Sequence, residues 1–155
     1  MKTAWPPADL AEWSKQFRFI TPIQVRFSDT DMLGHINNVS YFSYFEHGRL
    51  AYLAELDLTP HLFQSGAERG GFIVTASLEC QYLQQVHFGQ EVQLGVRVNR
   101  IGNSSLDFIY ALFLPAEEKI AAIGRGTVVY IHPTTGKSQP LPEKVKESIR
   151  TYEQI

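Results

Sequence analysis

Asp29-Thr30-Asp31-Met32-Leu33-Gly34-His35-Ile36-Asn37-Asn38 is the stretch on which the reading of this chain turns. It holds four Asp or Asn residues, one Gly and no sustained apolar period, so it reads as a loop. Just before it, Pro22 to Ser28 is short and extended, with Ile23, Val25 and Phe27 on one face, which predicts a strand. Just after it, from Val39 to Asp57, the period becomes helical. Tyr41, Phe45, Gly48, Tyr52 and Leu56 fall on one side, with Phe42, Arg49 and Leu53 beside them. Asn37 or Asn38 is the expected N-cap, because an Asx oxygen accepts an unpaired amide of the first turn. Aromatic residues on more than one side predict a helix wrapped by other elements.

Further on, the period drops to two. Phe72, Val74, Ala76, Leu78, Cys80 and Tyr82 alternate onto one face of a strand. Val92 to Val98 and Leu106 to Leu114 repeat the pattern. Ile120 to Ile131 is a fourth run, narrowed at Gly124 and Gly126 so that another backbone or a helix can approach. Gly102-Asn103 and Pro115 to Glu118 are short enough for hairpin turns, and Glu143 to Tyr152 predicts a terminal helix. The order is strand, long helix, then four antiparallel strands. This is an α+β layout, one antiparallel sheet wrapped around a long central helix. The sheet edges need covering, which favours a homo-oligomer. At 155 residues the chain is expected to be one domain, 1–155, with its core at about 20–132 between an N-terminal extension and the C-terminal helix.

Composition removes several function classes. Fourteen Lys and Arg against sixteen Asp and Glu leave a formal charge of −2, which argues against a nucleic-acid partner held by a basic field. No stretch approaches the ~20 apolar residues of a membrane span. The first sixteen residues lack the apolar run of a signal peptide, so a cytoplasmic location and no membrane partner are expected. A single cysteine, Cys80, excludes an internal disulfide and a cysteine zinc site. His47, His61, His87 and His132 show no metal-ligand spacing, so no metal is expected.

The polar loop is the only dense cluster of functional groups. A helix N-terminus presents up to about four unpaired N–H groups and the positive end of its dipole, which suit an oxyanion. Asp29 and Asp31 lie two apart, with His35 four further on. An acid beside such a terminus can act as a nucleophile or as a base on water, a constellation suited to acyl-group hydrolysis. The same residues also make an ordinary Asx-rich cap.

Val25 to Tyr41, taken as an ordered motif, resembles the signature of the hotdog-fold acyl-CoA thioesterases, nearest to the 4-hydroxybenzoyl-CoA thioesterase-like family. Tyr44-Phe45-Glu46-His47-Gly48-Arg49 resembles the family's helix segment, and His87-Phe88-Gly89-Gln90-Glu91 its strand-Gly-acid turn. The resemblance runs from about Ile20 to Ile131. It implies a five- or six-stranded sheet around the helix, and dimers or tetramers with active sites at the subunit interface. It implies an acyl-CoA substrate and no cofactor, coenzyme A being part of the substrate. By the motif, Asp31 is the catalytic acid, and the Asn38 N–H polarises the thioester carbonyl. His35 and Asn37 match the His-x-Asn of the branch resembling plant acyl-carrier-protein thioesterases, in which Leu33 would be Asn.

Gly34, Asn37 and Tyr41 are the motif residues expected to line the substrate site. Glu46 is either a second carboxylate there or a helix residue pairing with Arg49 at i,i+3. Thr75 and Ser77, opposite the apolar row of their strand, either line a substrate slot or sit on an exposed sheet face. Arg97, Arg100, Arg125 and Lys137 are candidate contacts for the coenzyme phosphates. An acyl-carrier-protein thioesterase and a non-catalytic acyl-thioester-binding module are the alternatives to acyl-CoA hydrolysis. The N-terminal segment with Trp5 and Trp13 is expected to cap a sheet edge.

Overall fold

The computed structural model describes residues 4–63 and 70–155. Its sheet contains β1 (Phe19–Ile23), β2 (Phe72–Tyr82), β3 (Val92–Ile101), β4 (Ser105–Leu114) and β5 (Lys119–Ile131). The strand order is β1-β3-β4-β5-β2, antiparallel throughout. The helices are α1 (Leu10–Ser14), α2 (Ser40–Glu55), α3 (Thr59–Leu62) and α4 (Glu143–Glu153). α2 lies against one face of the sheet: the α+β layout that the alternation of the later strands and the long helix predict, and the hotdog fold that the resemblance implies.

The inner face is set by the strict alternation of β4. Leu106, Phe108, Tyr110, Leu112 and Leu114 are fully buried under α2. Phe45 of α2 stacks on Tyr110 with ring centroids 4.6 Å apart. That close approach needs an absent side chain opposite. A Cβ at Gly124 of β5 would sit 2.5 Å from the Phe45 ring and 3.0 Å from the Glu79 carbonyl. At Gly48 of α2 a Cβ would run into the Leu94 and Val96 side chains of β3. The helix is therefore seated by two glycines, one on each side of the contact.

The other face of the sheet is covered by the chain's own start. Phe17 packs on Ile109 and Ala111, with Trp5, Trp13 and Phe113 around it. Trp5 Nε1 donates to Glu79 Oε1 at 2.7 Å, and the Arg125 guanidinium lies over the Trp5 ring at 5.0 Å. The N-terminal segment thus crosses the outer face and does not cap an edge. Its aromatic residues pack against the apolar odd-numbered row of β4.

Three local expectations need correction. The first strand lies at Phe19–Ile23, upstream of the expected Pro22 to Ser28, because its partner β3 fixes the register from Phe19 with Val96 to Ile23 with Val92. Phe27–Asp29 is instead a 3-10 turn, which Asp29 closes by accepting from the Arg26 N–H. α2 begins one residue after Val39 and has no side-chain cap; Asn37 Oδ1 accepts from the Val39 N–H ahead of the first turn. In β2 the alternation is broken by a bulge between Thr75 and Ser77. Ile73 before it and Leu78 and Cys80 after it join the core, whereas Val74 is exposed.

The C-terminal helix is pinned by a buried acid. Tyr52 Oη donates to Glu153 Oε1 at 2.6 Å, and Arg97 Nη1 stands 3.2 Å from Glu153 Oε2. A buried pair of this kind is weak evidence of net stability, but removing one member would strand the other. Filling the space under Phe45 tests the packing argument. Gly124→Ala is expected to cost about 1–3 kcal/mol by overpacking, read as a lower urea midpoint with unchanged slope.

Candidate active site

The loop before α2 assigns different work to its two aspartates. Asp29 is buried, and every oxygen it has is used. Its carboxylate accepts from the Arg26 N–H at 2.9 Å, Arg26 Nη2 at 3.0 Å and Tyr44 Oη at 2.9 Å. Its carbonyl accepts from the Asn37 N–H at 2.8 Å and Ser40 Oγ at 3.1 Å. Burial alone would push the Asp29 carboxyl up. The hydrogen bonds from Arg26 and Tyr44, with the Arg26 charge, outweigh it and hold the group below the ordinary carboxylate range. Arg26 is largely in water, so the hydrogen bonds matter more than its charge. Burial and the Asp29 bond together push the Tyr44 hydroxyl far up, so it stays a donor.

Asp31 is exposed and closes its own loop. Oδ1 accepts from the Leu33 N–H at 2.9 Å and the His35 N–H at 3.2 Å. The Asp31 N–H donates to the His35 carbonyl at 2.8 Å, and Gly34 makes the reversal with φ +79°, where a side chain would be strained. Among the described residues nothing donates to Oδ2. One carboxylate oxygen is thus fixed and the other is free, the arrangement a nucleophile or general base needs.

At the start of α2 the Asn38 carbonyl is held by Tyr82 Oη at 2.7 Å. The Asn38 N–H has no acceptor among the described residues, so it is available to a ligand oxygen. Tyr41 is buried behind it, its ring 4.9 Å from that of Tyr82. Burial first, then the neighbouring Cys80 and Tyr82, pushes its hydroxyl up to about 12, so Tyr41 is a neutral wall of the loop. Burial pushes the Cys80 thiol up to about 11, which leaves it a poor nucleophile at neutral pH.

The structure also brings to the loop a residue that the sequence reading placed only in a distant turn. His87 bridges His35 as a β-pair, their rings 4.7 Å apart and nearly perpendicular. The Ile36 N–H donates to the Val86 carbonyl at 2.8 Å, so the segment entering β3 props the polar loop. No spacing signal links two histidines so distant in sequence.

Other candidates separate in space. Thr75 faces α2 beside Glu46 and Arg49. Ser77, beyond the bulge, pairs with Thr127, whose hydroxyl bonds Asp107 on the outer face, so Thr75 and Ser77 do not line one slot. Glu46 is exposed, and no ion pair joins it to Arg49. Three of the cations considered for phosphate binding are committed elsewhere. Arg97 pairs with Glu153, Arg100 with Asp107 and Arg125 with Glu79. Lys137 is exposed. Among the described residues no three His, Cys, Asp or Glu side chains come together to hold a metal ion, and no helix is long and apolar enough to cross a membrane.

The Asp29 joint has a pH signature. The native state resists protonating Asp29 more than the unfolded chain does, so its contribution is complete above the ordinary value of 3.8 and is lost as pH falls below it. Asp29→Asn is expected to cost about 1–3 kcal/mol at pH 7. In denaturant titrations across pH, the gap from wild type should close as the pH falls below that value.

Known proteins resemble this chain in sequence and in fold. The model of the thioesterase-like superfamily matches residues 25–149. An uncharacterized Bacillus subtilis (strain 168) protein, YsmA, is 34% identical over 138 residues, 89% of each chain. The PA5185 protein of Pseudomonas aeruginosa PAO1 superposes with a TM-score of 0.77 at 31% identity, over 88% of this chain and 92% of that one. A Thermus thermophilus thioesterase complexed with coenzyme A and Zn superposes with a TM-score of 0.75 at 33% identity, over 91% of this chain and 98% of that one. A family match through the polar loop, the long helix and strands β2 to β5, with relatives at these identities, means that the chain belongs to the thioesterase-like superfamily.

Proposed function

We propose that this protein hydrolyses acyl-coenzyme A thioesters, with Asp31 as the catalytic carboxylate and the Asn38 N–H as the carbonyl donor. The observation that carries the reading is the pairing of a half-free carboxylate with an unpaired amide at the start of α2. Family membership supports a thioester substrate, and the coenzyme A bound to the Thermus thermophilus relative supports coenzyme A as its carrier.

In this reading the thioester carbonyl lies over the start of α2 and accepts from the Asn38 N–H, and the helix dipole favours the developing oxyanion. Asp31 Oδ2 either attacks the carbonyl carbon, giving a mixed anhydride that water then cleaves to restore the carboxylate, or takes a proton from the water that attacks. The C–S bond breaks and coenzyme A leaves as thiolate. Gly34 and Asn37 shape the loop, and His35, braced by His87, walls it. These steps draw only on groups of the chain and on water.

We also assign a homo-oligomeric assembly. β2 is an edge strand of eleven residues; past Phe72, which bridges Phe63, no strand among the described residues pairs with its outer side, and Val74, Tyr82 and Leu83 beside it are exposed. A long uncovered edge of this kind calls for a second chain. Light scattering is expected to give a mass of at least twice 17.6 kDa; a monomer would refute the assignment.

The activity test is release of free thiol from short, medium, long and aromatic acyl-CoAs. Asp31→Asn keeps an oxygen for the Leu33 and His35 amides, and so keeps the loop, but removes the base. Turnover is expected to fall about 10²–10⁴-fold with coenzyme A ester binding retained. Unchanged turnover would remove Asp31 from the mechanism. Silence on every acyl-CoA, with hydrolysis of acyl-carrier-protein thioesters, would move the substrate to that carrier.

A further inference from the structure

α2 and β2 lie side by side and run in opposite directions. Tyr82, at the end of β2, meets Asn38 and Tyr41 at the start of α2. Ile73 and Thr75, at the start of β2, meet Glu46 and Arg49 about two turns further along α2. These four residues, with Phe63 and Val128, line a cavity of about 270 Å³. The two ends are separated by about 12–16 Å of helix at 1.5 Å per residue, a gap that an eight-carbon acyl chain closes together with an Arg49 side chain leaning back toward the helix N-terminus, the direction helical side chains take.

Arg49 is the unexplained group in this cavity. It is 7% exposed, and its Nε is buried without an acceptor. No carboxylate among the described residues forms an ion pair with it. Its polar neighbour in the core is the Tyr110 hydroxyl, a neutral hydrogen-bond partner that burial keeps protonated against the pull of the Arg49 charge and hydrogen bond, so the charge itself stays unpaired. Glu46 lines the same cavity, but it is exposed and its head stays in water. A buried cation without an anion is costly. The partner that fits a guanidinium in charge and in fork geometry is a carboxylate.

We propose that Arg49 binds a carboxylate at the far end of the acyl chain, so that this enzyme prefers ω-carboxyacyl thioesters to neutral ones of equal length. The proposal rests on the thioesterase reading above and gives it a substrate class. The thioester carbonyl sits at Asn38, the chain follows the groove between α2 and β2, and the second carboxylate meets Arg49 beside the Thr75 hydroxyl. Glu46, at the rim, opposes that charge and limits the preference.

The test compares suberoyl-CoA with octanoyl-CoA. Wild type is expected to favour suberoyl-CoA in kcat/KM by about tenfold or more. Arg49→Met is expected to abolish or invert the ratio, Arg49→Lys to leave part of it, and Glu46→Gln to raise it. A wild-type ratio of one or less, or a ratio unchanged by Arg49→Met, overturns the proposal. Should Arg49→Met not fold, the wild-type ratio and its rise in Glu46→Gln decide. Should neither ester be hydrolysed, calorimetry of both esters on wild type and Asp31→Asn separates the two readings. Tighter suberoyl-CoA binding keeps the Arg49 assignment while the hydrolase reading falls, and equal binding removes the assignment.

Discussion

The site depends on the buried carboxylate of Asp29. The chain leaves β1, turns once and must present a loop with its polar groups outward, then start a helix at a fixed place. Asp29 makes that joint with both ends of its backbone and with its side chain. The turn behind it is held through Arg26, the helix is held through Tyr44, and the segment between is held through Asn37 and Ser40. With those positions fixed, the loop from Thr30 to Ile36 closes as a small antiparallel bridge, and its second aspartate is carried to the surface with one oxygen unspent. Two residues apart, one carboxylate is spent on architecture and the other keeps an oxygen free.

That division shows how far the sequence could be read. The later strands were legible because their alternation is uninterrupted where the sheet is buried: every second residue of β4 is apolar, and every one is inside. The helix was legible because its aromatic residues recur at three and four. The bulge in β2 was not, since Thr-Ala-Ser fits either phase of an alternation and only pairing with β5 decides which phase holds. The first strand was misplaced because Val25 and Phe27 continue the same alternation past the point where β3 ceases to pair with it; Phe27 ends 79% exposed.

The motif resemblance assigns Asp31 and Asn38 their expected roles, yet the separate job of Asp29 could not be read from it. Asp29 and Asp31 have the same chemistry and nearly the same address, and burial shows which of them is committed to the fold. His87 and Arg49 were beyond reach for different reasons. His87 meets its partner through the return of a distant segment. Arg49 looked like half of an ordinary helix-surface ion pair until the fold turned it inward and left Glu46 outside. Helical spacing allows an i,i+3 contact but does not require it, and burial of one member is enough to undo it.

The covering of the outer sheet face also decides what light can report about this molecule. The chain has two tryptophans, Trp5 and Trp13, and both belong to the segment laid over that face, in edge contact with one another at 6.0 Å. The polar loop and the α2–β2 groove lie around the opposite face and carry tyrosines and phenylalanines instead. Indole fluorescence is therefore a gauge of whether the N-terminal cover is seated, and it is blind to occupancy of the groove, which has to be followed through tyrosine absorbance or a chromophore on the ligand.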